Sequence, residues 1–92
     1  MLTIKYQSRF KKDVRLLNKR GYDMALLETT ITLLASGHPL PQQYRDHSLT
    51  GNWSGHRECH ITPDWLLIYR IDNNALILTL TRTGTHADIL GI

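Results

Sequence analysis

The chain contains little cysteine and no long apolar run, and both shortages narrow what it can be. Because Cys59 is the single cysteine among 92 residues, an internal disulfide is excluded, and this usage is typical of a reducing cytoplasm. The longest apolar run, residues 65–69, is far too short to span a membrane, and no segment resembles a signal peptide. We therefore expect a cytoplasmic protein with one small domain over residues 1–92 and no membrane partner.

Lysine is absent after residue 20, which makes the charge distribution more informative than the net charge of +3. The first 20 residues hold all four lysines and three arginines against one acid, whereas the rest of the chain is mildly acidic. A clustered basic patch attracts a polyanion or an acidic partner, although an ordinary solvated helix face explains the charge equally well. The basic side chains that fall off the apolar stripe of the first helix are Lys11, Lys12, Arg15 and Lys19.

The N-terminal part predicts a short strand followed by two helices. Residues 2–6 alternate as a strand does, and Ser8 is placed to cap a helix over about residues 9–20. Asp23 is placed to cap a second helix over about residues 24–36. The apolar stripes are Phe10, Val14 and Leu17 in the first helix and Met24, Leu27, Ile31 and Leu34 in the second.

The remainder predicts a polar connection over residues 37–54 and then three antiparallel strands. Thr62-Pro63 and Asp72-Asn73-Asn74 are turn signals that separate the strands. The order β-α-α-β-β-β predicts an α+β domain in which a helical hairpin covers a mostly antiparallel sheet. The three strands span about residues 55–61, 64–71 and 75–81.

Antiparallel pairing brings several polar side chains to one end of this sheet. The first turn places His60 close to Asp64 and Trp65. The third strand returns Arg82 beside Trp65, so that His86 emerges at the same end. The pattern determines the end of the sheet but leaves the face open, since a one-residue register slip reverses every side chain.

This set of side chains suits the cleavage of RNA by acid–base catalysis. Attack of a 2′-hydroxyl on the adjacent phosphate needs a base, an acid for the leaving 5′-oxygen and a cation for the phosphorane. His60 and His86 can supply acid and base near neutral pH, and Asp64 can orient a histidine or act as base. The remaining candidates are Arg57 and Arg82 for the phosphate and Trp65 for stacking on an unpaired base.

Each candidate also has a simpler structural interpretation when it is taken alone. Trp65 is more typical of a core aromatic, Asp64 of a turn residue after Pro63, and the two arginines of surface ion pairs. The case for a catalytic site therefore depends on the convergence of these residues and not on any one of them.

A metal site is the competing chemistry for the histidine-rich stretch. His56, Cys59 and His60 are potential ligands, with His47 or His86 as a fourth. However, His56 and Cys59 should face opposite sides of a strand, and no paired ligand spacing is present. We expect no metal and no cofactor, with Cys59 as a small buried residue.

The joint spacing of three motifs resembles the YafQ branch of the RelE-type toxins, over nearly the whole chain. The motifs are Asp46-His47-x-Leu49-x-Gly51-x-Trp53-x-Gly55, Arg57-x-x-His60-x-x-Pro63-Asp64-Trp65-x-Leu67-Ile68-Tyr69 and Arg82-Thr-Gly-Thr-His86. The resemblance implies a RelE-like fold and a toxin of a type II toxin–antitoxin pair. It also implies that His47, His60, Asp64, Trp65 and His86 occupy the family's active-site positions. Leu90 departs from the pattern, since the family often has an aromatic residue there.

The function implied by the resemblance is that of an mRNA interferase, which cleaves messages in the ribosomal A site. The expected partners are the 70S ribosome with its mRNA and a cognate antitoxin, whose complex with the toxin is expected to bind operator DNA. The basic first helix is expected to dock on rRNA or on the antitoxin. Two alternatives stay open: a non-catalytic ParE-like toxin that binds a protein such as DNA gyrase, and a plain nucleic-acid-binding module.

Overall fold

The computed structural model describes residues 1–91 as a five-stranded sheet with a helical hairpin against it. The strand order is β1-β5-β4-β3-β2, and only the pairing of β1 with β5 is parallel. The predicted α+β fold is therefore confirmed. The elements are β1 (Thr3–Tyr6), α1 (Ser8–Lys19), α2 (Met24–Ala35), β2 (His47–Ser48), β3 (Arg57–Thr62), β4 (Trp65–Asp72), β5 (Ile77–Gly84) and α3 (His86–Leu90).

Three local features differ from the sequence prediction. Ser8 is the first residue of α1 and does not cap it, since Gln7 takes the cap position and makes no side-chain hydrogen bond there. The connection between α2 and β3 contains the short edge strand β2, because two residues carry too little pattern to predict a strand. Finally, β5 begins at Ile77 and continues to Gly84, past the predicted end at Thr81.

The core lies between the helical hairpin and one face of the sheet. The predicted stripes of both helices face inward, and Asp23 caps α2 by accepting from the backbone N–H of Ala25. Alternate residues of β4 and β5 complete this core because successive strand side chains point to opposite faces. The main buried members are Phe10, Leu17, Leu27, Leu34, Cys59, Trp65, Leu67, Tyr69, Leu78 and Leu80.

A buried carboxylate secures the end of β5. Strand β1 pairs with β5 only as far as Leu80, so the outer edge of the last four residues of β5 has no neighbouring strand. Asp13 of α1, 8% exposed, accepts a hydrogen bond at 3.1 Å from the backbone N–H of Thr83. It also accepts at 2.7 Å from Nε of Arg82. A carboxylate of the helix thus replaces the missing strand.

Within residues 1–91, no helix combines the length and apolar character needed to cross a bilayer.

We predict that Asp13→Ala lowers the free energy of unfolding by about 3 kcal/mol, since it leaves the Arg82 charge without its partner. The Thr83 N–H loses its acceptor in the same variant. Urea denaturation measures the loss. The matched control is Glu28→Ala, which removes an exposed acid from α2 and should change the value by no more than about 0.5 kcal/mol. A loss below about 1 kcal/mol in Asp13→Ala would contradict the role assigned to this carboxylate.

Cys59 is a fully buried core residue, as the sequence predicted. Burial, together with the nearby carboxylates of Asp46 and Glu58, raises the pKa of its thiol to about 12.

We predict that an aromatic disulfide reagent modifies Cys59 at pH 8 no faster than the protein unfolds, since only the thiolate reacts. The same labelling in strong denaturant should be complete within minutes. Rapid labelling of the native protein would show that this part of the sheet opens locally.

Candidate active site

Three imidazole rings form a row at one end of the sheet. His60 of β3 lies in the centre, with its ring centroid 6.3 Å from that of His47 and 5.9 Å from that of His86. The three residues come from β2, β3 and the start of α3, so that only the tertiary fold brings them together. The predicted convergence of His60 and His86 is confirmed, and His47 joins them.

Glu58 lies between two of these histidines and was not among the predicted site residues. It pairs with His47 across the β2–β3 ladder, and its Oε1 lies 3.2 Å from Nε2 of His47 and 3.7 Å from Nε2 of His60. At 8% exposure, its carboxylate is nearly enclosed. The i, i+2 spacing of Glu58 and His60 was the signal available in the sequence, because it places both on one face of a strand.

Asp64 holds the third histidine in place. Its Oδ1 lies 2.5 Å from Nδ1 of His86 and accepts the backbone N–H of His86 at 3.2 Å. These two hydrogen bonds hold the pKa of the Asp64 carboxyl below its usual value. With Nδ1 engaged by the carboxylate, the Nε2 atom of His86 is the one left for a substrate.

The start of α3 is built to orient His86. Thr85 caps the helix by accepting from the N–H of Asp88, and Asp88 accepts in return from the N–H of Thr85. Gly84 packs so closely that a β-carbon there would lie 3.0 Å from Cβ of Asp88. Arg20 adds an ion pair with Asp88 at 2.8 Å, which lowers the pKa of that carboxyl.

The prediction that Trp65 stacks on an RNA base is wrong for this structure. Trp65 is 2% exposed and belongs to the core on the helical side of the sheet. Its indole N–H donates to Oγ1 of Thr83 at 2.9 Å, and Tyr22 packs edge-on against its ring. Thr83 in turn donates to the carbonyl of Leu66. Trp65 therefore ties β4 to β5 immediately beside Asp64.

The prediction that Arg57 holds the phosphate is also wrong for this structure. Its register partner is Tyr69, whose side chain lies in the helical core, whereas Glu58 and His60 lie on the opposite face. The Arg57 guanidinium donates to Asp46 at 3.1 and 3.2 Å, and the Tyr69 hydroxyl donates to the same carboxylate. Burial raises the pKa of the Tyr69 phenol, which keeps this donor protonated.

Arg82 shares a face with the histidines but its guanidinium is directed elsewhere. The register Glu58–Ile68–Arg82 places it in the same row of side chains as Glu58. Its guanidinium nevertheless donates to Asp13 at 2.7 and 3.3 Å, at the edge covered by α1. The expected phosphate contact would require this largely buried ion pair to open.

The predicted basic surface of α1 is present. Its buried side is formed by Phe10, Asp13 and Leu17, and the lysines and Arg15 point to solvent. Among residues 1–91, no group of three or more histidine, cysteine or acidic side chains is arranged to hold a metal ion.

Comparison with known proteins gives consistent matches along the chain. Residues 2–91 match the family described as bacterial toxin of type II toxin–antitoxin system, YafQ. The mRNA interferase toxin YafQ of Escherichia coli (strain K12) is 45% identical over 89 residues, covering 96% of this chain and 95% of the relative. The putative toxin YafQ of Haemophilus influenzae is 39% identical over 91 residues, covering 94% and 89%.

Solved structures agree with the sequence matches. The toxin in the crystal structure of the E. coli DinJ–YafQ complex superimposes with a TM-score of 0.91 at 43% identity, over 99% of this chain and all of that chain. A metal-bound toxin from Helicobacter pylori gives a TM-score of 0.90 at 42% identity, over 97% and 99%. From its sequence and its fold, the chain belongs to the YafQ family of bacterial toxins of type II toxin–antitoxin systems.

Proposed function

We propose that this toxin is an mRNA interferase that cleaves mRNA in the ribosomal A site and is neutralised by a cognate antitoxin. The observation that carries the proposal is the row formed by His47, His60 and His86, with carboxylates between and beside them. The E. coli and H. influenzae relatives carry toxin names, and the former is named an mRNA interferase.

The row provides the acid and base that RNA cleavage needs. One imidazole takes the proton of the attacking 2′-hydroxyl, and a protonated neighbour gives a proton to the departing 5′-oxygen, leaving a 2′,3′-cyclic phosphate. Ring centroids about 6 Å apart allow a phosphate to lie between His60 and His86 within hydrogen-bond reach of both. Asp64 orients His86, and Glu58 orients His47. His60 and His86 each fit the role of base and the role of acid.

An imidazolium is the cation best placed to stabilise the phosphorane. Arg57 lies on the other face, and Arg82 is held by Asp13. The Glu58 carboxylate lies 3.2 Å from Nε2 of His47 and 3.7 Å from Nε2 of His60, so it can form an ion pair with an imidazolium at either position. The histidine cluster thus supplies the charge that the sequence assigned to the arginines.

The partners follow from the charge on α1 and from the family. The exposed basic surface of α1 suits rRNA or an acidic antitoxin, and a YafQ relative is solved in complex with the antitoxin DinJ. The proposal includes operator binding by the toxin–antitoxin complex and a bacterial cytoplasmic location, where ribosomes are found. It takes residues 1–92 as one toxin domain, supported by the family match over residues 2–91.

The gyrase-binding alternative accounts for less of the structure. A surface that only binds protein needs no acid–base set, whereas this chain places three imidazoles and two carboxylates at one end of its sheet.

Induction of the toxin in cells followed by mapping of mRNA 5′ ends distinguishes mRNA cleavage from gyrase binding. Cuts confined to translated messages, in frame with their codons, support the proposal, whereas intact mRNA with DNA breaks would refute it.

We predict that His60→Ala and His86→Gln each lower the single-turnover cleavage rate on programmed ribosomes by about 10²–10⁴-fold. Ribosome affinity should change little, since a proton-transfer group acts in the transition state. Folding should also persist, because Nδ1 of His60 has no hydrogen-bond partner among residues 1–91 and the His86 side chain is only half-buried.

The control for the histidine variants is His38→Ala, which removes an exposed histidine bonded to Ser36 outside the row. It should cleave as the wild type does. Rates within a few-fold of wild type in His86→Gln would remove His86 from the mechanism and leave His60 and His47 to carry it.

We predict that the fourfold charge reversal Lys11→Glu, Lys12→Glu, Arg15→Glu and Lys19→Glu weakens ribosome or antitoxin binding, with the largest effect at low salt. The reason is the loss of attraction to a polyanion. The slope of the logarithm of the binding constant against the logarithm of the salt concentration should therefore also flatten. Lys5→Glu, an exposed basic position on β1, is the control for a general charge effect. Equal binding of both partners at every salt concentration would show that the α1 surface is only solvated.

A further inference from the structure

A cavity of about 320 Å³ adjoins the central histidine of the row. One wall comes from the single-turn helix Gln42–Tyr44 and the following residue, Arg45. The other wall comes from the end of β3, where His60 itself lines the space. His60 is therefore shared by this cavity and the histidine row.

The side chains around this cavity suit a nucleobase. Tyr44 offers a half-buried aromatic ring, and aromatic rings stack on bases. Arg45 offers a guanidinium, which can stack on a base or donate to its edge. Leu26 and Ile61 give the apolar surroundings, and the amide of Gln43 can both donate and accept. The volume is sufficient for one base and too small for a folded segment.

The backbone at Arg45 is held in a conformation that an arginine rarely adopts. Its φ of 48° and ψ of 44° lie in the left-handed region, which favours glycine and asparagine. The next residue, Asp46, is fixed to Arg57 and Tyr69, so the chain turns sharply at Arg45. A strained arginine that stays exposed beside a candidate catalytic residue points to a function, since strain of this kind concentrates at binding and catalytic sites.

We propose that this cavity takes the base of the nucleotide next to the scissile phosphate, and that Tyr44 and Arg45 determine which base is preferred. The inference rests on the proposed function, since it needs an RNA whose phosphate lies against His60. The neighbouring base then falls within reach of the cavity that shares this histidine. Tyr44 supplies stacking, and Arg45 supplies hydrogen bonds to the base edge.

The test measures single-turnover cleavage on ribosomes programmed with a set of mRNAs that differ only at the nucleotides flanking the cleaved bond. The preference is the ratio of kcat/KM between the best and the worst message. Tyr44→Leu should lower kcat/KM on the best message roughly 10- to 100-fold, as expected for one lost stacking contact. Tyr44→Phe keeps the ring and should stay within about threefold of wild type.

Arg45→Gly separates specificity from folding. Glycine adopts the left-handed conformation without strain, so this variant should be at least as stable as the wild type. Its preference ratio should nevertheless fall roughly 10-fold or more, the scale of one lost contact to a base edge. The matched control is Leu76→Gly, which relieves the same strain (φ 57°) in the β4–β5 turn, at the other end of the sheet, and should leave the preference ratio unchanged.

The outcomes are distinct for the two proposals. Wild-type protein that cleaves no ribosome-bound message would overturn the proposed function and the base subsite together. Active wild-type protein with an unchanged preference ratio in Arg45→Gly and Tyr44→Leu would overturn the subsite alone. Variants that cleave normally but lose affinity for the antitoxin would also overturn it, because the cavity would then receive a protein side chain.

Discussion

The hydrogen bonds that the Asp13 carboxylate accepts at the free edge of β5 are the contacts on which this end of the molecule depends. Strand β1 stops at Tyr6, and the last residues of β5 would otherwise expose their backbone donors at the sheet edge. Asp13 accepts from both the backbone of Thr83 and the side chain of Arg82. The position of α3, and with it that of His86, follows from where β5 is held.

A second carboxylate fixes the opposite end of the histidine row. Asp46 binds Arg57 and the Tyr69 hydroxyl on the helical side of the sheet, which secures the long connection after α2. The next residue, His47, then projects to the other face, where it meets Glu58. His47 and His86 therefore lie on anchored segments on either side of His60, which is itself part of a strand. The separations between the three rings are thus determined by a rigid backbone and not by flexible loops.

The residues of the three motifs shared with the YafQ family divide into two groups with different roles. His47, His60, Asp64 and His86 form the row and its support, whereas Trp65, Arg57 and Arg82 hold strands, loop and helix around it. The division follows strand alternation, because neighbours in sequence lie on opposite faces of the sheet. Each motif therefore contains both candidate catalytic residues and the residues whose contacts position them. Removal of Trp65 or Arg82 would disturb activity through the fold.

The sequence alone determined the α+β fold, the two helices, the three long strands and the convergence of His60, Asp64 and His86 at one end. These follow from hydrophobic periodicity and turn residues, which act locally. Only the tertiary structure decided the face on which each side chain lies, since a bulge or a slip of one residue reverses it. That is why Trp65 lies in the core, Arg57 on the far face and Glu58 among the histidines. The pairing of Asp13 with Arg82 was equally invisible in the sequence, because 69 residues separate the two partners and no local pattern joins them.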